Sequence, residues 1–479
     1  MKAIGIAIPV AIAAVAVALA GCPTPPGPGG EGEGEGEGEG QGGEGEGEGE
    51  GQPPSGTNIV PGAGGILEDA AKDGSELAYR DANNTLFSVS PDGGAPAQVV
   101  INTDKAAYHG TFLIALHGDV NGDGSVYATA DKRPAGGAVA ALAANLRTRS
   151  LKATDDGLHL YHEVQIAAGV EDLFLDGARI VQNAAKEKIR FSPANDFLVV
   201  GANDGNGHEV VTFPVGGGAG HIIVGDLASN ETQVTRNGAQ LIYGANEAVN
   251  RCDITIAAMD GSDAPGTVLR VGGDDSSFKV TADNSEVVYI VDSAISGAIE
   301  AVLRTGGAPR IIRAGGASKA FDLKSISLDH IVYSTTVPDP LTGLETLRII
   351  KLDGSGGDAA LGANAQSDGF TADGAYLLYE DNVVSGLGSL HAFNVTNATI
   401  DDLGDGVKKV QQASASVVVF LDQLGRLHET TLGGATIIVA DGVDHFALVH
   451  DGPPVGGVTT DSSRVAFSRP ADGIWVAGL

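Results

Sequence analysis

Short aliphatic runs that end on an aromatic residue or valine recur along the chain, and we call them core runs. Ten core runs occur: Leu77–Tyr79, Val126–Tyr127, His159–Tyr161, Leu198–Val200, Leu241–Tyr243, Val287–Tyr289, Ile331–Tyr333, Leu377–Tyr379, Val418–Phe420 and Val465–Phe467. Their final residues lie 34 to 48 residues apart. β-Branched and aliphatic residues in short runs between turn residues are typical of buried strands. The pattern therefore predicts an all-β chain built from repeats.

Turn residues divide each repeat into four strands. Pairs such as Asp73-Gly74 and Asp373-Gly374 precede a core run, and a second strand such as Leu86–Val89 follows it. A second turn such as Asp92–Gly94 leads to a third strand, and a fourth leads into the next core run. Four strands in a period near 43 residues are typical of a β-propeller. We predict an all-β propeller of four-stranded antiparallel blades, with seven to ten blades.

Ten core runs would correspond to ten blades, which is more than the seven or eight that are common in propellers. This leaves two interpretations. Either the ring is unusually large, or the irregular early repeats form something other than full blades. Only Gly473–Val476 follows the last core run as a strand, so we expect Asn58–Val60 to supply the outer strand of that blade and close the ring. Ala138–Arg147 is rich in alanine and leucine, and we predict it as a strand rather than a helix.

Two segments resemble the repeat of TolB-type propellers. Phe191–Val200 reads FSPANDFLVV and Phe370–Tyr379 reads FTADGAYLLY, whereas the family repeat opens Phe-Ser-Pro-Asp-Gly and continues through an aliphatic-aromatic strand. The resemblance extends over nearly all of residues 57–479, although the proline is kept only at Pro193. It implies either a binding scaffold of the cell envelope or a propeller of the kind found in prolyl-oligopeptidase-like enzymes.

The N-terminal segment has the pattern of a targeting signal. Lys2 precedes an apolar stretch from Ile4 to Leu19, which ends in Leu19-Ala20-Gly21-Cys22. This tetrapeptide resembles the lipobox of bacterial lipoproteins, so we predict a signal peptide over residues 1–21 and an acylated Cys22. The alternative is an uncleaved membrane helix, but the stretch is shorter than the ~20 residues of a span and contains Pro9. Pro23 stands where an aspartate signals inner-membrane retention in well-studied lipoproteins, so the resemblance implies a cell-envelope protein of the outer rather than the inner membrane.

Residues 22–56 form the acylated cysteine and a Gly/Glu-rich tether. Gly-Glu repeats occupy Gly30–Gly40 and Gly43–Gly51, and nine glutamates lie between Glu31 and Glu50. Such a composition cannot bury apolar surface, so we predict that the segment is disordered and holds the domain of residues 57–479 away from the membrane.

Net charge restricts the partners. Lys plus Arg total 29 against 61 for Asp plus Glu, a formal net charge of −32. A surface this negative repels nucleic-acid phosphates, so nucleic acid is not expected to bind. Membrane contact is expected through the lipid alone. Cys22 and Cys252 are the only cysteines, so with Cys22 acylated no intrachain disulfide is expected.

One local motif suggests a metal. Asp119, Asn121 and Asp123 alternate along the chain with glycine at the sixth position, which resembles the start of a calcium loop. The twelfth position, where a chelating acid is expected, is Ala130. The same Asp123-Gly124 pair also falls where the repeat needs its ordinary turn. Calcium binding and a plain turn therefore both remain open, and no other cofactor is expected.

The remaining motifs favour binding over catalysis. His159 and His162 lie three apart, which on a strand places them on opposite faces, so they cannot share a metal. The sequence has no Gly-x-Ser-x-Gly elbow and no phosphate-binding loop. Our leading hypothesis is a lipid-anchored, non-enzymatic envelope propeller that acts as a scaffold for protein, peptide or glycan. The alternatives are a hydrolase or lyase with its site at the mouth of the central channel, and a purely structural surface protein.

Overall fold

A computed structural model of the protein describes residues 56–479 except 63, 111, 119–126, 135, 148–149, 155–157, 168–169, 183–184, 204–207, 225–226, 249–250, 274–276, 292–295, 317–318, 336–344 and 454–459. The described residues form 38 strands and no helix. All strand pairs are antiparallel, and the strands group into ten four-stranded units.

Units 1 to 3 follow one another from the N-terminus. Unit 1 contains β2 (Ile66–Ala70), β3 (Leu77–Arg80), β4 (Leu86–Val89) and β5 (Ala97–Val100). Unit 2 contains β6 (Lys105–His109), β7 (Phe112–His117), β8 (Tyr127–Pro134) and β9 (Ala140–Arg147). Unit 3 contains β10 (Lys152–Ala153), β11 (Leu160–Ala167), β12 (Val170–Leu175) and β13 (Ala178–Val181). The early repeats thus form four-stranded units, and Ala140–Arg147 confirms the strand predicted there.

Units 4 to 6 are separate four-stranded sheets. Unit 4 contains β14 (Ala185–Phe191), β15 (Phe197–Asn203), β16 (His208–Pro214) and β17 (His221–Val224). Unit 5 contains β18 (Leu227–Val234), β19 (Gln240–Ala248), β20 (Arg251–Ala258) and β21 (Thr267–Gly273). Unit 6 contains β22 (Phe278–Val280), β23 (Glu286–Val291), β24 (Ala298–Leu303) and β25 (Arg310–Arg313).

Units 7 to 9 share two long strands and form one ten-stranded sheet. Its strands are β26 (Asp322–Ile326), β27 (His330–Ser334), β28 (Glu345–Lys351), β29 (Ala359–Phe370), β30 (Tyr376–Val384), β31 (Leu387–Asn394), β32 (Thr399–Gln412), β33 (Val417–Asp422), β34 (Leu427–Thr431) and β35 (Thr436–Ala440). The N-terminal halves of β29 and β32 are the outer strands of units 7 and 8, and their C-terminal halves are the first strands of units 8 and 9.

The first and last strands of the chain complete unit 10. It contains β36 (His445–Val449), β37 (Arg464–Arg469), β38 (Gly473–Gly478) and, on the outer edge, β1 (Thr57–Pro61). Asn58 pairs with Trp475 and Val60 with Ile474. The predicted closure by the N-terminal strand is confirmed.

Neighbouring units pack face to face. Ile242 and Ile254 of unit 5 share an apolar cluster with Phe278 and Tyr289 of unit 6, and equivalent clusters join other pairs of units. β2 contacts both β6 and β36, so unit 1 adjoins unit 2 on one side and unit 10 on the other. Contacts between first strands also join β18, β22, β26 and β29 in series. The fold is a β-propeller with the first strand of each unit innermost.

Core runs occupy the second strand of their unit, with one exception. Val126–Tyr127 was predicted as the core run of the second repeat, but Tyr127 begins β8, the third strand of unit 2. The second strand is β7, in which Leu113 and Ile114 are buried. β7 ends on leucine and histidine rather than on an aromatic residue or valine, which is why the pattern did not identify it.

Candidate functional site

Several first strands carry a bulge, and the extra residue in four of them is charged. In unit 1 Leu67 pairs with Tyr79 and Asp69 with Ala78, which leaves Glu68 outside the ladder. The extra residues of units 7, 8 and 9, identified in the same way from the register shifts, are Lys324, Asp368 and Lys408. A bulge re-aims the side chain of its extra residue. Charged groups on the innermost strands are thereby displaced from the regular alternation of the sheet.

Lysine is concentrated on the same first strands. Eight of the twelve lysines between residues 56 and 479 lie on first strands: Lys105, Lys152, Lys186, Lys188, Lys279, Lys324, Lys408 and Lys409. The outermost strands carry none. By contrast, Arg190 is the single arginine on a first strand. A chain of strongly negative net charge thus places most of its lysines around the axis of the ring.

The carboxylates of β2 are engaged by neighbouring protein groups. Glu68 Oε1 accepts a hydrogen bond from Arg80 Nε at 2.6 Å, and its Oε2 accepts one from the backbone N–H of Ala106 at 3.1 Å. Asp69 Oδ2 accepts a bond from the N–H of Tyr108 at 2.8 Å. Burial raises the pKa of Asp69, although these hydrogen bonds oppose the rise. Both acids therefore act to bind unit 1 to unit 2.

In unit 7, Lys324 is satisfied within the protein. Its ammonium lies 2.8 Å from Asp322 Oδ2 and 2.7 Å from Glu345 Oε2. Asp322 Oδ1 in turn accepts a hydrogen bond from Ser277 Oγ of unit 6 at 2.7 Å. Lys324 therefore helps to hold unit 7 against unit 6 by orienting Asp322.

Asp368, the bulge residue of unit 8, has a strongly perturbed carboxylate. Water reaches its side chain, yet the surrounding protein removes enough hydration to raise its pKa to about 7, and the nearby Glu380 carboxylate adds to the rise. Glu380 lies on β30, is buried, and also has a raised pKa because of burial. A carboxyl group that titrates near neutrality can exchange protons at physiological pH.

His109 is the last residue of β6 and is half-buried. Burial lowers the pKa of His109, and the ammonium groups of Lys72, Lys105 and Lys152 lower it further. Lys72 follows β2, Lys105 begins β6 and Lys152 begins β10, so three successive units contribute one cation each.

Lys409 of unit 9 extends the basic character of the axis. Its ammonium lies 4.6 Å above the ring of Phe446 and donates to the Phe446 carbonyl at 2.6 Å. Burial lowers its pKa, and the charge of Asp69 opposes that effect. Lys409 thus connects the first strands of units 9, 10 and 1.

A different set of charged groups joins neighbouring units by contacting the tyrosines of the core runs. In unit 6, the Tyr289 hydroxyl donates to Glu300 Oε2 at 2.7 Å. Arg270 from unit 5 lies over the Tyr289 ring, 5.9 Å from its centroid, and 3.4 Å from Glu300. Burial accounts for most of the raised pKa of Tyr289.

Unit 7 repeats this arrangement. Tyr333 donates to Asp358, and Arg313 from unit 6 lies 5.3 Å from the Tyr333 ring centroid and 3.2 Å from Asp358. Arg348 lies 2.8 Å from the same carboxylate and is the main cause of its lowered pKa. The recurrence at two successive junctions indicates a structural role for these groups.

A recess of about 480 Å³ lies between units 3 and 4. Arg179, Phe213 and the Gly216–Gly220 segment contribute to its lining. The Arg179 guanidinium is already paired with Asp172 at 3.1 Å.

The predicted site residues have mixed outcomes. Cys22 and the candidate calcium ligands Asp119, Asn121 and Asp123 lie outside the described residues, so lipidation and calcium binding there stay predictions. Within the described part of the chain, no group of three or more His, Cys, Asp and Glu side chains could hold a metal. The same part contains no apolar helix of membrane-spanning length.

His159, which precedes β11, and His162, which lies on it, have separate environments. His159 Nδ1 lies 2.7 Å from Asp176 Oδ2, whereas His162 is buried and stacks on Phe174 with ring centroids 5.3 Å apart. Burial lowers the pKa of His162 to about 4. Cys252 is buried on β20.

Sequence reasoning missed the axial lysines because it treated the strand before each core run only as a connection. Lysines that recur a few residues before the second strands were the available signal. Their common position is visible only once the strand order identifies which strand of each unit faces the axis.

Comparison with known proteins finds only distant structural similarity. No family model matches the chain, and no curated protein matches it. Among solved structures, an oligogalacturonate lyase in complex with manganese is similar at 12% identity and a TM-score of 0.40, over 67% of this chain and 96% of that one. A eukaryotic initiation factor has 13% identity and a TM-score of 0.47, over 74% and 90%. The C-terminal WD40 domain of Sif2 has 8% identity and a TM-score of 0.37, over 88% and 98%.

Proposed function

We propose that the protein is a lipid-anchored propeller of the bacterial cell envelope that binds a protein, peptide or glycan without transforming it. The single observation that carries this proposal is the axial arrangement of the first strands, which hold eight of the twelve lysines between residues 56 and 479 on a scaffold of ten units. Rigid scaffolds that present charged groups from several separate elements are suited to recognition. The predicted lipobox and tether support attachment through Cys22 and a preference for the outer membrane.

The resemblance to TolB-type repeats supports the same proposal, because propellers of that type occur in envelope proteins that bind other proteins. Propellers also host unrelated functions, so the ligand must be argued from the site rather than from the fold. Calcium at Asp119, Asn121 and Asp123 is kept as a proposed ligand of the loop that contains them.

Two measurements test the proposal. A tagged fatty acid should label the full-length protein in cells, and a Cys22→Ser variant should lose both the label and the membrane association. In intact cells, photo-crosslinkers placed beside Lys408 should capture one discrete envelope component, whereas crosslinkers placed beside Lys351 on β28 should not. If the native protein takes up no fatty-acid label but the crosslinkers beside Lys408 still capture a component, the error is confined to the lipid anchor. Turnover of a substrate by the purified protein would contradict the non-enzymatic scaffold.

One observation favours an enzyme as the second candidate. Asp368 and Glu380 form a carboxylate pair with raised pKa values beside the axis, which is an arrangement that general acid–base catalysis can use. An enzyme of this kind should show an inflection of activity near pH 7, and Asp368→Asn should abolish that inflection. A flat profile through pH 7 would exclude this role for Asp368.

A further inference from the structure

His391 on β31 lies between two carboxylates. Its Nε2 is 3.0 Å from Asp381 Oδ1 of β30, and its Nδ1 is 2.8 Å from Asp402 Oδ1 of β32. Asp381 Oδ1 also accepts a hydrogen bond from the Asn382 side-chain amide at 2.8 Å. The His391 ring stacks on Tyr379 with centroids 5.1 Å apart, so the core run of unit 8 fixes the plane of the ring.

Two carboxylate contacts on one imidazole require two protons. A neutral imidazole has one N–H donor and one nitrogen that carries a lone pair. A neutral His391 would therefore place a lone pair against a negatively charged oxygen. The imidazolium has an N–H on each nitrogen and satisfies both contacts with charge-assisted hydrogen bonds. Within the described part of the chain, no other histidine has a carboxylate oxygen at hydrogen-bond distance from both ring nitrogens.

Unit 9 repeats this arrangement with one difference. His428 stacks on the aromatic residue of its core run with ring centroids 4.6 Å apart, and its Nε2 lies 3.0 Å from Asp422 Oδ2. Across the ladder, His391 pairs with Asp402, whereas His428 pairs with Ile438. A neutral ring that carries its proton on Nε2 is therefore sufficient for His428.

Asp402 occupies a rim position that is apolar in other units. In units 4, 6 and 9 the residue before the bulge of the outermost strand is Ile222, Ile311 or Ile438. The corresponding residue of unit 8 is Asp402, whose side chain is 86% exposed, while that of His391 is 14% exposed. The contact thus joins the interior of unit 8 to its rim.

Asp381 and Asp402 are the charges that face the His391 ring. The other charged side chains on β28 to β32 are Glu345, Arg348, Lys351, Asp368, Glu380, Asp401, Asp405, Lys408 and Lys409. In the part of the chain that the structure describes, none of these lies within hydrogen-bond distance of the ring. Burial raises the pKa of the adjacent Tyr379, and the charges of Asp381 and Asp402 raise it further.

We propose that His391 is a proton-dependent link that holds Asp402, and with it the outermost strand of unit 8, against the core of that unit. The imidazolium makes both contacts, so the link stabilises the fold at lower pH and is lost as His391 gives up a proton with rising pH. The loss acts on the N-terminal half of β32. It also acts on the junction with unit 7, where a Cβ on Gly362 would lie 2.7 Å from Asp381 Cβ. This inference goes beyond the scaffold function and does not depend on it.

Hydrogen exchange of the full-length protein tests the link. Exchange would be followed by mass spectrometry at pH 6 and pH 9 and corrected for the intrinsic rate at each pH. We expect the protection of the N-terminal half of β32 to fall about 5-fold, the equivalent of ~1 kcal/mol, which is what a partly exposed charge pair contributes. β35, the outermost strand of unit 9, is the internal control and should not change. Equal changes in both strands, or no change in β32, would overturn the proposal.

Variants separate the titrating contact from other contacts of the same strand. Asp402→Ile copies the residue of units 4, 6 and 9, so it is expected to fold, and it should abolish the pH dependence of β32. His391→Gln should do the same. Asp405→Asn is the matched control, because Asp405 is exposed on the same strand but accepts a hydrogen bond from the Ser389 hydroxyl at 2.7 Å, which does not titrate. Its pH dependence should equal that of the native protein. An unchanged pH dependence in Asp402→Ile would overturn the assignment to this contact.

NMR of protein labelled with nitrogen-15 in its histidines supplies a readout that does not depend on stability. At pH 7, His391 should carry a proton on both ring nitrogens, whereas His428 should carry one proton. His391→Gln and His428→Gln assign the two sets of signals. An unprotonated ring nitrogen in His391 at pH 7 would overturn the proposal.

Discussion

Closure of the ring by β1 can be tested with the single substitution Ile59→Ala. Ile59 is 7% exposed and belongs to an apolar cluster that contains Leu67 of unit 1 and Ile474 and Val476 of unit 10. Its side chain therefore contributes to the junction where the two ends of the chain meet. If β1 were undocked, Ile59 would be in water and its truncation would have almost no effect on the free energy of unfolding.

The expected magnitude follows from the atoms removed. Ile59→Ala deletes three carbon atoms from a nearly buried side chain, which at ~0.8 kcal/mol per methylene gives about 2.4 kcal/mol. A residual cavity adds to the loss, but β1 is an edge strand and can shift to fill it in part. We expect the free energy of unfolding to fall by about 2–3 kcal/mol.

Equilibrium urea denaturation followed by far-UV circular dichroism measures this loss. Ile437→Ala is the matched control, because Ile437 lies on β35, the outermost strand of the preceding unit, and is 55% exposed. Its truncation should change stability by less than about 0.5 kcal/mol. If Ile59→Ala and Ile437→Ala cost the same, β1 does not contribute to closure and the reasoning is refuted.

Two further substitutions probe contacts between and within units. Gly74→Ala should destabilise the protein more than Gly177→Ala, although both glycines have positive φ. A Cβ on Gly74 would lie 1.8 Å from the His450 carbonyl oxygen, whereas a Cβ on Gly177 would face open space. Equal losses of the free energy of unfolding in the two variants would contradict this. His162→Phe should become increasingly stabilising relative to the native protein as pH falls from about 6.5 towards 4, because the unfolded chain takes up a proton that the folded His162, with a pKa of about 4, resists. The gain should approach about 3 kcal/mol and be absent at pH 8; a difference that does not vary with pH would show that His162 is not buried in its neutral form.

Much of the fold could be predicted because a strand and its turns are local features. Nine of the ten core runs lie on second strands, where successive buried side chains face the two neighbouring units in turn. Glycine at positive φ in turns such as Gly74 and Gly374 marks the hairpins. The closing strand at Thr57–Pro61 was also predictable, because an incomplete last repeat and an extra strand at the start of the chain complement each other.

Features that depend on register could not be predicted in the same way. Tyr127 satisfied the local pattern yet belongs to the third strand, since β7 has the buried aliphatic residues without the terminal aromatic. The bulges at Glu68, Lys324, Asp368 and Lys408 arise from pairing with a neighbouring strand, and no local residue preference distinguishes them. The continuous strands β29 and β32 replace turns that the repeat pattern predicts between units.

The sequence by itself determined the strand content, the repeat and the order of strands within a unit, because short apolar runs and glycine turns act over a few residues. Only the tertiary structure decided which strand of each unit is innermost. That choice places eight of the twelve lysines between residues 56 and 479 around the axis, although they are distant from one another in the chain. Electrostatic fields depend on distance in space, so a site built from one residue per unit is defined by the ring and not by any segment of it.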